Sequence, residues 1–562
     1  MSTAACMAPD DLPLPAETRE FRIFGPPGTG KTTTLSRWIE EAARRWGSDA
    51  VLVTSFSRAA AAELVARNLA IDSGQVGTLH SICYRALGGP EIAEAHVSEW
   101  NKAHPEMALT AKRDKAALDE PPADNFDADA AGRDGDPLLQ QLNRLRGLML
   151  PKEYWPASVR AFERAWFDYK DAHRLMDFTD LIETALRDIH AAPGRPKMLF
   201  ADEAQDLTPL QMTLLRKWGR HTENLVLAGD DDQCIYSWTG ASVDALLDPP
   251  LPDERVKVLG LSYRVPKAVH GLAQQIIARV SRRQPKQYEP RKADGACRFL
   301  HATWTRPDAI LDLVERTLDR NKTAMVLASC SYMLEPVIRG LRKRGVPFHN
   351  PFRRSNGAWN PLRRDKPGAA VNRVLGLLAP FLEGEEALWN STDASNWIEW
   401  LTSKGLLRPN GKSHFAKLSP TEPVRPEDLH EIFEPAAWPG FCRAFGDGHL
   451  GLLRWWQARL LASVQDRAAF PVAIAAARGP RALQETPKVV VGSIHSVKGG
   501  EADVVVVFPD LSRAGAAGYE RGGEDRDSVI RIFYVAVTRA REEVYLCEPA
   551  GQWRFRWPGL RG

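Results

Sequence analysis

Near the start of the chain, Gly25-Pro26-Pro27-Gly28-Thr29-Gly30-Lys31-Thr32 has the spacing GxxxxGK[ST] of a loop that cradles phosphate. An apolar run, 21–24, precedes it, and a helical pattern follows from Thr32 towards Arg45. The chemistry needs that order. A strand delivers the loop, glycines let backbone N–H groups face an anion, and the helix N-terminus adds partial positive charge. Lys31 can neutralise terminal phosphate oxygens, and the Thr32 hydroxyl can hold Mg²⁺. Gly25 through Thr33 are therefore the candidate residues for a bound nucleoside triphosphate, with ATP the expected substrate.

A second acidic site follows the apolar run Met198–Ala201. There Asp202, at the end of a strand, can share the Mg²⁺, and Glu203 can orient or deprotonate an attacking water. Alone, such a pair is often a solvated acidic turn, but beside a phosphate loop it indicates a motor. A third run, 225–228, leads into Gly229-Asp230-Asp231-Asp232-Gln233, where Gln233 can sense a terminal phosphate. Tyr236 and Trp238 lie two residues apart, and their rings either stack on nucleobases or pack as ordinary core aromatics.

The ordered set of segments resembles the superfamily 1 helicases of the UvrD/Rep/PcrA group. FSRAAAAEL (56–64) and GTLHS (77–81) are similar to motifs Ia and Ib, and MDFTDLI (176–182) to the segment that precedes motifs II and III. LSYR (261–264), IHSVKGGEADVVVV (494–507) and YVAVTRAREE (534–543) are similar to motifs IV, V and VI. The resemblance implies that Tyr263 stacks on the base and that Arg264 and Arg539 reach the phosphates from a second motor domain. It places Gly500 and Glu501 near the ribose. Arg541 is either a further finger or a surface charge paired with Glu542 and Glu543. The implied catalytic set is Lys31, Asp202, Glu203, Gln233, Arg264 and Arg539. For DNA the resemblance points to Phe56, His80, Tyr236, Trp238 and His495, and to single-stranded DNA and its junctions with duplex as the partners. The aromatic, basic stretches Phe352–Lys366 and Trp553–Trp557 are read as solvated loops or edge packing, with DNA contact the lesser reading.

The sequence also departs from that pattern. The first glutamine in the chain is Gln75, so the upstream Gln that reads adenine in the family is missing or replaced. Weak discrimination between ATP and other triphosphates is expected. Arg58-Ala59 stands where Asn-Lys is usual, Thr239 where an Arg follows the Trp, and Gly500 where Leu is common. These changes spare the ATPase residues and bear on the grip on DNA. The motif V style implies 3′-to-5′ movement, and unwinding is less strongly implied than translocation. The alternative is a translocase subunit of a repair, replication, phage or defence complex that unwinds little without its partners.

Short apolar strands alternating with helices predict an α/β fold: two RecA-like domains with parallel sheets, each carrying a mainly helical insertion. The expected division is 1–90 with 175–258 (1A), 91–174 (1B), 259–349 with 485–562 (2A), and 350–484 (2B-like). Within it, 109–137 reads as an exposed, partly disordered loop, and 350–484 as Trp-rich helices. The 562 residues, 44% hydrophobic and 26% charged, suit an ordinary globular protein that needs no metal or disulfide staple. A net charge of +3 neither predicts nor excludes nucleic acid. Seven scattered cysteines without a CxxC pair argue against a zinc or iron–sulfur site. No secretory signal, membrane span or fused C-terminal nuclease or Tudor-like tail is expected, and a cytoplasmic location follows.

Overall fold

The computed structural model describes residues 19–56, 71–111, 133–352, 359–365, 368–382 and 388–559. All of the FSRAAAAEL segment after Phe56, including Arg58-Ala59, and most of the 109–137 loop lie outside these residues. Two parallel sheets organise the rest. The first contains β1 (Glu20–Phe24), β2 (Val51–Ser55), β3 (Val76–Thr78), β4 (Met198–Asp202), β5 (Asn224–Gly229) and β6 (Val256–Val258). Its order is β3-β2-β4-β5-β1-β6, and every pairing is parallel.

A short parallel pair, β7 (Leu261–Pro266) with β8 (Glu289–Arg291), follows. The second sheet contains β9 (Ala296–Leu300) and β10 (Ala324–Ala328). The small antiparallel pair β11 (Trp389–Asn390) and β12 (Pro423–Val424) precedes its last three strands. These are β13 (Val489–Ser493), β14 (Ala502–Val507) and β15 (Ala540–Cys547). Its order is β13-β10-β14-β15-β9, again parallel throughout. Parallel strands need crossover connections and end up covered on both faces, which is why 504–507 is an unbroken run of valines. No helix among the described residues is long and apolar enough to cross a membrane.

Helices fill the connection between β3 and β4. Val97–Ala103, Asp136–Gly147 and Ala157–His173 share a core of Trp100, Leu142, Phe162 and Trp166. An ionic knot ties that core to the first sheet's lobe. Asp177 caps the helix Phe178–Asp188 in a reciprocal box with Asp180. Arg146 lies 2.9 Å from Asp177, 2.6 Å from Asp180 and 2.7 Å from Glu183. Lys170 adds a contact of 2.6 Å to Asp177. Burial acts against ionisation, yet Arg146 and Lys170 hold the Asp177 carboxyl well below the usual range. The two aspartates of MDFTDLI are thus a cap and an anchor.

The stretch between β10 and β13 is rich in buried tryptophan, including Trp389, Trp397 and Trp456. Its apolar side chains join Val326, Val489 and Val506 of the second sheet in one continuous core. The last helix there, Gln465–Arg478, lies against Gly345, and Arg478 Nε donates to the Gly345 carbonyl at 3.1 Å. Such burial contributes about 1.5–3 kcal/mol per large apolar side chain.

Candidate active site

The phosphate loop leaves the C-terminal end of β1, which lies between β5 and β6. Ligands of open parallel sheets bind beyond those strand ends. Gly25 N–H donates to Gly229 O at 2.9 Å, and the Thr29 hydroxyl to Pro26 O at 2.8 Å, folding the loop back on itself. The helix Lys31–Trp46 begins after Gly30 with no side-chain cap, and its N-terminus adds partial positive charge beside the loop. Thr32 sits half-buried and Thr33 exposed at that turn.

The second lobe touches the loop through β7. Tyr263 N–H donates to Gly28 O at 2.8 Å, and the Ser262 hydroxyl to Pro27 O at 2.7 Å. Gly28 has φ 73°, and a Cβ there would lie 2.4 Å from Arg264 Cβ. Any other residue would push the lobes apart. Tyr263 is 71% exposed, an aromatic face held beside the loop with its ring near Gly30.

Lys31 pairs with Glu203 and lies 3.3 Å from Asp202. Burial works against the ammonium, but Glu203 and Asp202 outweigh it and hold Lys31 above its ordinary range. Burial would also raise Glu203. Lys31 and Lys498 overcome it and pull that carboxyl down to about 2. Asp202 goes the other way, raised by burial against the pull of Lys31. A buried carboxylate and the Thr32 hydroxyl form an all-oxygen donor set, which fits a hard divalent cation such as Mg²⁺.

Gln233 Nε2 donates to Asp230 at 2.7 Å, and its Oε1 accepts from Arg539 Nη2 at 2.9 Å. Arg539 also donates to Gly500 O at 3.2 Å and Val535 O at 3.1 Å. Burial and the neighbouring Arg264 bring its pKa down to about 9. Arg264 Nε donates to Glu501 at 2.5 Å, and Glu501 faces Arg541 at 3.3 Å. Lys31, Asp202, Glu203, Gln233, Arg264, Glu501 and Arg539 therefore line one cleft between the lobes.

Phe56, Tyr236, Trp238 and His495 form an aromatic cluster across the lobes. Phe56 stacks on Tyr236 at 5.3 Å, Trp238 meets it edge-on at 6.3 Å, and His495 lies 6.1 Å away. Phe56, Tyr236 and Trp238 are half-buried, whereas His495 is 3% exposed. His80 stands apart, edge-on to Phe178. Trp238 also lines a cavity of about 570 Å³ with Arg144, Gln140 and Asp244. The tail is edge packing at two of its three aromatic positions: Phe555 stacks on Phe533 at 4.2 Å and Trp557 is buried, whereas Trp553 is exposed.

Three groups were not singled out from sequence. Lys498, inside the motif V segment, pairs with Asp206 and donates to Gln233 O at 2.9 Å. Burial lifts Asp206 to about 6 despite that lysine. Gln205 donates to Glu203 at 2.6 Å and accepts from Asp230 N–H at 2.9 Å, joining the ends of β4 and β5. The buried Asp230-Asp231-Asp232 run is clamped by Lys286, at 3.0 Å from both Asp230 and Asp232 and also paired with Asp231, and by a bidentate Arg283 at 2.6 and 2.8 Å.

Lys286→Met leaves Asp232 paired with Arg283 and takes the lysine from the buried Asp230 and Asp231, which keep hydrogen bonds from the Gln233 amide and the Gln284 N–H. It is expected to cost about 3–5 kcal/mol. Burial already holds Asp231 up at about 6, above its value in the unfolded chain. A raised acid weighs on the folded state fully above its folded pKa, and the penalty fades as pH falls through it. Urea unfolding should therefore show a larger loss near about pH 8 than near about pH 5.5. Equal losses would contradict the charge account.

Comparison with known proteins agrees with this geometry. Residues 13–249 match the UvrD/REP helicase N-terminal domain, and residues 488–547 a UvrD-like helicase C-terminal domain. The chain is 27% identical over 284 residues to the ATP-dependent DNA helicase UvrD2 of Mycobacterium tuberculosis, covering 45% of this chain and 40% of that protein. It is 24% identical over 295 residues to the ATP-dependent DNA helicase PcrA of Bacillus subtilis, covering 48% and 39%. A shorter match, 31% over 120 residues, is to PcrA of Staphylococcus epidermidis, covering 20% and 16%. The matches thus span about two fifths, or less, of these relatives. Both family domains bracket the cleft in sequence, one carrying the phosphate loop and the other Glu501 and Arg539, and the chain belongs to the UvrD/REP helicase family.

Proposed function

We propose that the protein is an ATP-driven motor that steps 3′-to-5′ along single-stranded DNA and separates strands at junctions with duplex. The observation that carries this reading is the cleft itself. Lys31, Asp202 and Glu203 on one lobe face Arg264, Lys498 and Arg539 on the other, so the terminal phosphate of ATP would be contacted from both sides. Thr32 and Asp202 would hold Mg²⁺, which supplies charge neutralisation at the phosphates when bound. Lys31 positions the same phosphates, Glu203 takes the proton of the attacking water, and Arg264 and Arg539 stabilise charge as it spreads over the phosphate oxygens. Tyr263 offers its exposed face to the base.

Because the cationic groups sit on the second lobe, closure depends on the triphosphate and reopening on its loss. Phe56, Tyr236 and Trp238 lie on the first lobe, and His495 meets Tyr236 from the second. Opening and closing would shift stacking from base to base, and stacking tolerates any sequence. We assign the six-stranded lobe as motor domain 1A with 1B inserted, and the five-stranded lobe as 2A with the 2B-like insertion, within a cytoplasmic enzyme. The 3′-to-5′ polarity rests on the style of the IHSVKG segment.

The test is ATP-dependent strand displacement on 3′-tailed, 5′-tailed and blunt duplexes, with hydrolysis of ATP and GTP followed in parallel. Separation of the 3′-tailed duplex alone supports a self-sufficient helicase of this polarity. Hydrolysis stimulated by tailed DNA without separation points instead to a translocase that works with a partner protein. Absence of any DNA-stimulated hydrolysis refutes the motor reading. Comparable turnover of ATP and GTP is expected, given the missing upstream glutamine.

A further inference from the structure

Gly500 is buried, and a Cβ there would lie 2.5 Å from Phe352 Cε2 and 2.6 Å from its Cζ. A ring from a distant part of the chain thus occupies the space a side chain at this position would need. Its base is firmly fixed. His349 N–H donates to Val489 O at 3.0 Å and His349 O accepts from Val491 N–H at 3.1 Å, extending the sheet beyond β13. Asn350 and Trp359 exchange backbone hydrogen bonds of 2.7 and 3.1 Å. The Asn350 side chain accepts from Phe352 N–H at 3.1 Å and donates to the Ser496 hydroxyl at 2.9 Å.

The far side of Gly500 faces the cleft. Its carbonyl accepts from Arg539 Nη1 at 3.2 Å, and the next residue, Glu501, accepts from Arg264 at 2.5 Å. Phe352 as a whole is 37% exposed, more than plain core packing would leave. We propose that Phe352 is a positioning residue for ATP hydrolysis: its ring replaces the side chain missing at Gly500 and holds the Gly500 carbonyl against Arg539. The proposal rests on the ATPase reading above and deepens it, because it gives the segment leading into the Trp-rich insertion a direct line to the arginine finger.

The losses at the ring and at the glycine should compensate in the double variant rather than add, which plain loss of packing does not produce. Four full-length variants are compared with the parent: Phe352→Ala, Phe352→Leu, Gly500→Ala and the double Phe352→Ala/Gly500→Ala. Phe352→Ala should lower DNA-stimulated kcat about tenfold, with KM for ATP within about twofold and little change in Tm. Phe352→Leu should restore most of the rate. Gly500→Ala alone should be impaired, since its Cβ meets the ring. The double variant should recover to within about threefold of the parent, because the methyl group refills the space. Additive losses in the double variant, or kcat and Tm falling together without rescue by leucine, would overturn the proposal. A parent that hydrolyses no ATP overturns the ATPase reading first, before any variant is compared.

Discussion

Glu203→Gln will bind nucleotide and DNA yet hydrolyse ATP about 10³-fold more slowly, within the range expected when a general base is removed. The carboxylate sits at φ 53°, a left-handed conformation in a residue that is not glycine, at the end of β4. Such strain costs on the order of 1–3 kcal/mol and persists only where the surroundings impose it. Here Lys31 holds one oxygen and Gln205 Nε2 the other, at 2.6 Å.

At a pKa of about 2 the carboxylate is a poor base, because Lys31 and Lys498 overcome the effect of burial. Efficient proton transfer calls for a value closer to the working pH. A terminal phosphate beside Lys31 competes for the same ammonium. Its arrival loosens the Lys31–Glu203 pair and lets burial lift Glu203 towards a useful basicity. On the proposed mechanism the base is masked until nucleotide arrives.

Glutamine keeps the contact with Gln205 and cannot take the proton. It also frees Lys31, so the dissociation constant for ATP should stay level or fall while kcat collapses. Steady-state hydrolysis with and without single-stranded DNA, together with nucleotide and DNA titrations, separates the two effects. A fall in kcat below about tenfold would sink the assignment of the base.

Legibility from sequence followed the distance over which each contact forms. MDFTDLI was legible only through the family resemblance, whereas the phosphate loop and the Asp202–Glu203 pair announce themselves in short local patterns, a glycine-rich loop and an acidic turn at a strand end. The strands were legible for the same reason, as unbroken apolar runs such as 504–507 mark sheets covered on both faces. The clamp of Lys286 on Asp230, Asp231 and Asp232 joins residues more than fifty positions apart, and neither end carries a periodic signal. Lys498 and Asp206 are 292 positions apart, although Lys498 lies inside the motif V segment and Asp206 only three residues beyond Glu203. Gln205 was visible in the acidic turn, but nothing local says that its amide spans two strand ends. Gly500 was visible as a departure from the family. The reason for it, a ring from residue 352, exists only in three dimensions.

Arg539→Ala should cost about 10³- to 10⁵-fold in DNA-stimulated kcat, the range for loss of an arginine that stabilises phosphoryl transfer. The geometry explains why so much rests on one side chain. Its guanidinium donates in three directions, to Gln233 Oε1, Gly500 O and Val535 O, and each partner belongs to a different element. Gln233 is held in turn by Asp230, so an unbroken chain of hydrogen bonds runs from the end of β5 across the cleft.

Burial and Arg264 depress the arginine to about 9, which leaves it charged at neutral pH but poorly compensated. An anion entering the cleft relieves that cost, and the relief is greatest when phosphate charge is spreading. Lysine carries the charge without the planar fork of donors, so Arg539→Lys should remain at least about a hundredfold impaired. Gln233→Ala should remove much of the same effect, and the double variant should be little worse than Arg539→Ala, because the two act as one unit. Binding of single-stranded DNA without nucleotide should survive in all three. Near-parent turnover in Arg539→Lys would show that only charge matters here, and would remove the directed link between the lobes from the mechanism.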